Sequence, residues 1–209
     1  MTTGYNIDTD PNSSDYTTAF KEFYSAHFIN SFGLTRGDIN TSFFTSMSDT
    51  EKEIAKRLIR QNLKLRQTYL FTASGQLKDK EALPILYEQL ENNTDFSWQM
   101  TIGQAIWRIN GDPLYPELLK KLKNHPSDTM RQAHFEQVLD LQNEQSIETY
   151  FDYLNDNNSI IISITLSKLN YWLTGKHSDT FLFDKNYFIE NRNNKNLKET
   201  LLQKLKTLG

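Results

Sequence analysis

The stretch Arg108–Leu122, RINGDPLYPELLKKL, puts a glycine, an aspartate and two prolines among leucines at helical spacing. Residues of this kind end one element and start another. Gly111 suits a helix stop in the left-handed region, and Asp112 suits the cap of a following helix. Pro113 and Pro116 fall in or beside a first turn, where a missing N–H costs little. Leu118, Leu119 and Leu122 then sit at i, i+1 and i+4, on one helical face. Whether this joint occurs once or recurs decides the fold.

It recurs. Shifting the chain by 32 residues overlays it on itself. Ile54, Leu86, Leu118 and Tyr150 form one column, Ala55, Tyr87, Leu119 and Phe151 the next, and Leu58, Leu90, Leu122 and Leu154 a third. A second helical face follows in each unit. Its columns are Leu70, Ile102, His134 and Leu166; Ala73, Ala105, Gln137 and Leu169; and Leu77, Ile109, Leu141 and Leu173. Turn formers separate the two helices: NNTD at 92–95, NHPSD at 124–128 and NDNNS at 155–159, with Asp95, Ser127 and Ser159 as expected N-caps. SDTE at 48–51 has the spacing of a capping box. Two short antiparallel helices cannot bury their apolar stripes alone, so neighbouring units must stack.

These patterns predict an all-α, right-handed α-solenoid of about four helix pairs. The expected pairs span 48–79, 80–111, 112–143 and 144–175. Residues 1–14 read as a disordered tail, 15–47 as a helical N-terminal cap and 176–209 as a helical C-terminal cap. The N-terminal cap places Tyr16, Phe20, Phe23 or Tyr24, and His27 or Phe28 on one face, with Gly33 as its stop. The C-terminal cap carries Phe181, Phe183, Tyr187 and Phe188 ahead of an amphipathic helix, LKETLLQKLKTL.

Composition narrows the function classes. The net charge of −3 and pI near 5.8 show no basic surplus of the kind that phosphate contacts demand. Nucleic acid is therefore not the expected partner, and a basic protein suits the charge better. With no cysteine, disulfides, zinc–cysteine sites and thiol catalysis are excluded. The N-terminus lacks the basic and apolar regions of a signal peptide, and the longest apolar run, SIIISITLSKL, is too short to span a bilayer. The expectation is a soluble cytoplasmic protein.

The segments ASGQLKDKEALPIL (73–86) and AIWRINGDPLYPEL (105–118) resemble the HEAT-like repeats named for phycobilisome lyases. The resemblance rests on Ala73, Leu77, Asp79, Leu83, Pro84 and Leu86 in one unit. In the next it rests on Ala105, Ile109, Gly111, Asp112, Tyr115, Pro116 and Leu118. Met130-Arg131 resembles the Val-Arg that opens the second helix in that family. The unit 144–175 matches only in its apolar columns, and the whole resemblance runs from Ser48 to Gly175. It implies that the second helices line a concave surface, but it leaves function open, because a fold does not fix an activity.

No catalytic signature stands out. His27, His125, His134 and His177 form no metal-ligand pair, and there is no nucleophile elbow or phosphate loop, so no metal or cofactor is expected. His134 and Gln137 fall in otherwise apolar columns and read as a packed polar core or a polar pocket. Trp98 reads as core. Trp107 stands where the family keeps a glycine, as Gly75 does. With Arg108, Tyr171 and Trp172 it forms the expected partner-facing ridge, or else packs between units, since Trp, Tyr and Arg dominate binding hot spots. A second row, Gln67, Gln99, Arg131 and Ser163, follows the family's arginine position and is expected to be exposed, with Phe71 and Phe135 a turn later. The function expected is a non-catalytic protein-binding module, such as a bacterial immunity protein that neutralises a toxin, or a general adaptor. The alternative is an alkylpurine DNA glycosylase of HEAT-like fold, for which three tryptophans and Asp140 would supply the pocket.

Overall fold

A computed structural model describes residues 5–31, 42–123, 125–127, 131, 138–176 and 182–207, without the side chains of 139 and 140. The described residues are all-helical, with no strand among them. No described helix is long and apolar enough to cross a membrane. The chain divides into two compact units, Met1–Leu118 and Leu119–Gly209. The division falls inside the helix that follows the Gly111-Asp112 joint.

The first unit opens with α1 (Thr18–Tyr24), which runs into a π-helical turn, Ser25–Ile29. Short α2 (Phe43–Ser46) and α3 (Asp49–Asn62) follow. The expected capping box at Ser48 forms: Ser48 Oγ accepts from Glu51 N at 3.3 Å and Glu51 accepts from Ser48 N at 2.8 Å. The same carboxylate accepts from Thr17 N at 2.6 Å and Thr17 Oγ1 at 3.0 Å, so one buried glutamate fastens the starts of α1 and α3 together. Burial alone would raise its pKa, but the hydrogen bonds from Thr17 and Ser48 outweigh that and hold it below the ordinary range.

Residues 5–8, within the span 1–14 expected to be a disordered tail, lie against α3 and the π-helical turn. Asn62, buried on α3, accepts from Asn6 N at 2.7 Å and donates to Asn6 O at 3.0 Å. Tyr5 rests edge-on against Phe28 at 5.4 Å, and its hydroxyl bonds that of Tyr69. Arg57 reaches Asp8 at 3.0 Å. Polar composition conceals this seat because the clamp holds main chain, which every sequence carries. The seat is shallow. Ordering backbone costs roughly 1–2 kcal/mol per residue. Each clamp hydrogen bond contributes only about 1 kcal/mol net, and the exposed ion pair adds little.

Next come α4 (Thr68–Gln76), α5 (Leu83–Glu91), α6 (Phe96–Asn110) and α7 (Leu114–Lys123). Asp95 caps α6 as expected, accepting from Trp98 N at 3.1 Å. The joint aspartates do more than cap. Asp79 Oδ1 accepts from Glu81 N at 3.2 Å and from Arg60 Nη1 on α3 at 2.6 Å. Asp112 accepts from Leu114 N at 2.9 Å and from the Tyr87 hydroxyl on α5 at 2.6 Å. Asp79 thus ties the start of α5 to α3, and Asp112 ties the start of α7 to α5.

A close backbone approach in this unit joins α4 to α6. A methyl group built on Gly75 would lie 2.9 Å from Ala105 Cα, a backbone atom that cannot yield alone. Gly75→Val is expected to lower stability by about 2 kcal/mol or more, the overpacking cost less any helix-propensity gain. Urea unfolding checks this, and an unchanged midpoint would refute the close-packed reading.

The second unit holds the rest of α7, a 3₁₀ turn at Val138–Leu141, α8 (Glu144–Tyr153), α9 (Ser159–Thr174), α10 (Lys185–Glu190) and α11 (Lys195–Thr207). Asn143 forms a capping box with Ser146. Asn158 caps α9, accepting from Ile160 N at 2.9 Å, one residue before the expected Ser159. The core gathers Ile147, Tyr150, Phe151, Leu154, Ile161, Leu169 and Trp172 with Phe188, Leu197, Leu201 and Leu205 of the last two helices. Phe183 stacks on Tyr187 at 4.4 Å; Phe181 lies outside the described residues. Among the described residues left-handed backbone stands at Arg66 (φ 57°), Lys78 (φ 49°), Gly111 (φ 78°), Gln142 (φ 44°) and Gly175 (φ 69°), each between two helical elements.

Candidate partner-binding surface

Trp107 is half-buried near the end of α6, its ring 5.7 Å from that of buried Tyr115. Gln104 Nε2 donates to the Tyr115 hydroxyl at 3.3 Å, which fixes the platform under the indole. Arg108, beside it and also half-buried, lies in the last turn, where the helix dipole favours a cation. The 32-residue step from Gly75 lands on Trp107. An indole there excludes a backbone approach of the kind Gly75 makes and leaves a large amphipathic ring partly open to solvent.

The second row fares unevenly. Gln67 is the N-cap residue of α4, half-buried, with Nε2 3.4 Å from Leu65 O. Gln99 is half-buried and donates to Asn93 O at 2.9 Å, bracing the α5–α6 turn. Phe71 is not exposed: it is fully buried and meets Trp98 edge-on at 5.8 Å. Helical periodicity misplaces it because α4 has almost no solvent face. Tyr69, Leu70, Phe71, Ala73, Ser74 and Gly75 are all buried.

In the second unit Arg131 is not exposed either. Its side chain is 14% exposed, Nη1 donates to His125 O at 2.8 Å, and Nε lies 3.3 Å from a similarly enclosed Asp156 carboxylate. A charge at that depth is held by its partners rather than offered to solvent. Trp172 is also removed from the expected ridge. It is 3% exposed and packs on Tyr150 at 4.9 Å, because it shares a helical face with Ile161, Thr165 and Leu169. Tyr171 remains half-buried and Ser163 exposed. His134, Phe135 and Gln137 lie outside the described residues, as does the side chain of Asp140.

Two features have no counterpart among the expectations. Ile160 and Ile164, at 57% and 38% exposure, make an apolar stripe on α9 with Ser163 between them. The run SIIISI carried the signal, since apolar residues at every position cannot all face one core. The other is an ionic cluster. Arg192 holds Glu148 at 2.8 Å and Asp152 at 2.6 Å, Lys198 also bonds Glu148, and Lys123 bonds Asp152. Burial would raise both carboxyls, but the cations and their hydrogen bonds hold them below the ordinary range. Its five members come from separate parts of the chain, so spacing could not reveal it. Among the described residues no group of three or more metal-ligating side chains converges.

Among the described residues, the first unit thus presents the half-buried neighbours Trp107 and Arg108, and the second the exposed stripe Ile160–Ile164. Comparison with protein-family models, with curated proteins and with solved structures found no match.

Proposed function

We propose that this chain is a right-handed α-solenoid of HEAT-like pairs that acts by binding another protein, without catalysis. In its concrete form it is a bacterial cytoplasmic immunity protein or inhibitor that neutralises a toxin. The observation that carries the reading is Trp107 with Arg108: a half-buried indole on a braced tyrosine, beside a cation, one 32-residue step after Gly75. Large rigid aromatics and arginines supply most binding energy at protein interfaces. The left-handed joints at 78, 111, 142 and 175 and the two joint aspartates support the stacked-repeat architecture. Charge favours a basic partner on the first unit, since residues 1–118 carry 15 acidic and 11 basic side chains, against 11 and 12 in residues 119–209.

The test is capture of partners from the native host, followed by calorimetry with the purified partner and co-expression rescue if that partner is toxic. Trp107→Ala is expected to weaken binding roughly 30-fold, a hot-spot loss of about 2 kcal/mol, while the folded chain keeps its melting temperature within a few degrees. Unchanged affinity would remove Trp107 from the interface. A salt-dependent shift of duplex DNA would instead favour the glycosylase alternative.

A further inference from the structure

The segment Tyr5–Asp8 occupies a surface seat that reads main chain in the middle and side chains at its two ends. Asn62 accepts from Asn6 N at 2.7 Å and donates to Asn6 O at 3.0 Å. It also donates to Leu58 O at 2.7 Å one turn back, which fixes its rotamer. Asn62 is 1% exposed with the segment seated, so an occupant of the seat must offer it both a main-chain donor and a main-chain acceptor. Tyr5 stands against Phe28 with its hydroxyl on Tyr69, and Asp8 meets Arg57 at 3.0 Å and Gln61 at 3.4 Å. Between these anchors Asn6 and Ile7 are exposed. Recognition thus needs an aromatic residue, a following residue that offers both main-chain groups, and a carboxylate three positions after the aromatic.

We propose that this seat is an exchangeable peptide-binding site. Its trans occupant is a segment of another protein carrying tyrosine followed three residues on by aspartate or glutamate. The chain's own residues 5–8 then act as a tethered competitor. The anchors of the tether are few and largely at the surface, so the segment leaves at little cost, and a competitor with better anchors displaces it. Tethering gives residues 5–8 an effective concentration in the millimolar range, which keeps weak peptides out and admits strong ones. Asn170 shows that an asparagine clamp is independent of sequence. It accepts from Phe183 N at 2.9 Å and donates to Phe183 O at 2.8 Å, holding a phenylalanine's main chain as Asn62 holds an asparagine's. Specificity at Asn62 therefore comes from Tyr5 and Asp8. The seat is separate from Trp107, so loss of partner binding at either leaves the other intact.

The experiment uses the full chain and a fluorescein-labelled peptide of residues 5–12, YNIDTDPN, followed by anisotropy. The Tyr5→Ser/Asp8→Ser chain, whose own segment is weakened, is expected to bind the peptide at least tenfold more tightly than the wild type. A peptide with alanine for its tyrosine is expected to lose that binding, as is the variant chain with Asn62→Leu added. Equal binding of both peptides, or none to the weakened chain at about 1 mM peptide, would overturn the proposal. Should the weakened chain unfold, hydrogen exchange on the wild type decides: excess peptide should speed exchange at the Asn6 amide without altering α3, and an unchanged rate refutes displacement. Light scattering separates the remaining occupant. A wild-type dimer that grows with concentration and is lost in Asn62→Leu would identify a second copy's segment and overturn the assignment to another protein.

Discussion

Arg60→Met is expected to cost the first unit about 3 kcal/mol or more. Asp79 is 2% exposed and sits at the joint where α4 ends, and Arg60 Nη1 lies 2.6 Å from its Oδ1. Arg60 also reaches Glu81 at 3.0 Å, but that carboxylate is exposed and needs no partner. Removing the guanidinium leaves the Asp79 charge buried beside a backbone it already caps. An uncompensated buried charge costs far more than the pair contributes when intact. The double variant Arg60→Met/Asp79→Asn removes the charge as well and is expected to regain part of the loss. Chemical unfolding of the wild type, the two single variants and the double variant measures the coupling. A loss below about 1 kcal/mol for Arg60→Met would show that solvent reaches Asp79 and that the joint is not sealed.

The second large effect is acid sensitivity through His27. This imidazole is 1% exposed in the π-helical turn, 3.0 Å from Phe23 O through Nδ1, among the rings of Phe23, Phe28, Phe43, Phe44 and Tyr69. Burial lowers its pKa from 6.5 to about 4, and the Phe23 carbonyl offsets only part of that. With the folded value below the unfolded one, the unfolded chain binds more protons between them. The contribution of neutral His27 is therefore complete above pH 6.5 and is lost as pH falls toward 4. A shift of that size corresponds to about 3 kcal/mol. The carboxylates held low, Asp8, Glu51, Glu148 and Asp152, titrate below their ordinary values of 3.8, 4.5, 4.5 and 3.8, so they act mainly beneath this window. His27→Gln keeps a donor for Phe23 O without a titrating group. The wild type should lose stability between pH 6.5 and 4.5, and the variant should show a nearly flat profile there. Parallel profiles would mean that His27 charges without penalty and is reached by water.

Much of the local architecture was legible in the chain. The capping box at Ser48, the cap at Asp95, the stop at Gly111 and the buried positions of Leu86, Leu118 and Tyr150, whose column-mate Ile54 is half-buried, follow from contacts within a few residues. The candidate site was less legible. Phe71 and Trp172 carried the right residue types and spacing, yet both are buried, because periodicity says which residues share a face and not how many faces are covered. Arg131 looked like a displayed cation until Asp156, 25 positions further on, enclosed it.

By itself, then, the sequence determined the all-helical class and local signals such as the caps at Ser48 and Asp95 and the stop at Gly111, all of which rest on interactions along a few turns of chain. Only the tertiary structure decided which aromatics stay open, that Arg60 belongs to Asp79, that five charges gather at Glu148, and that Asn62 holds Asn6. Those pairings join groups 19 to 56 positions apart, where the energy depends on distance and desolvation in space and leaves no periodic trace in the order of residues.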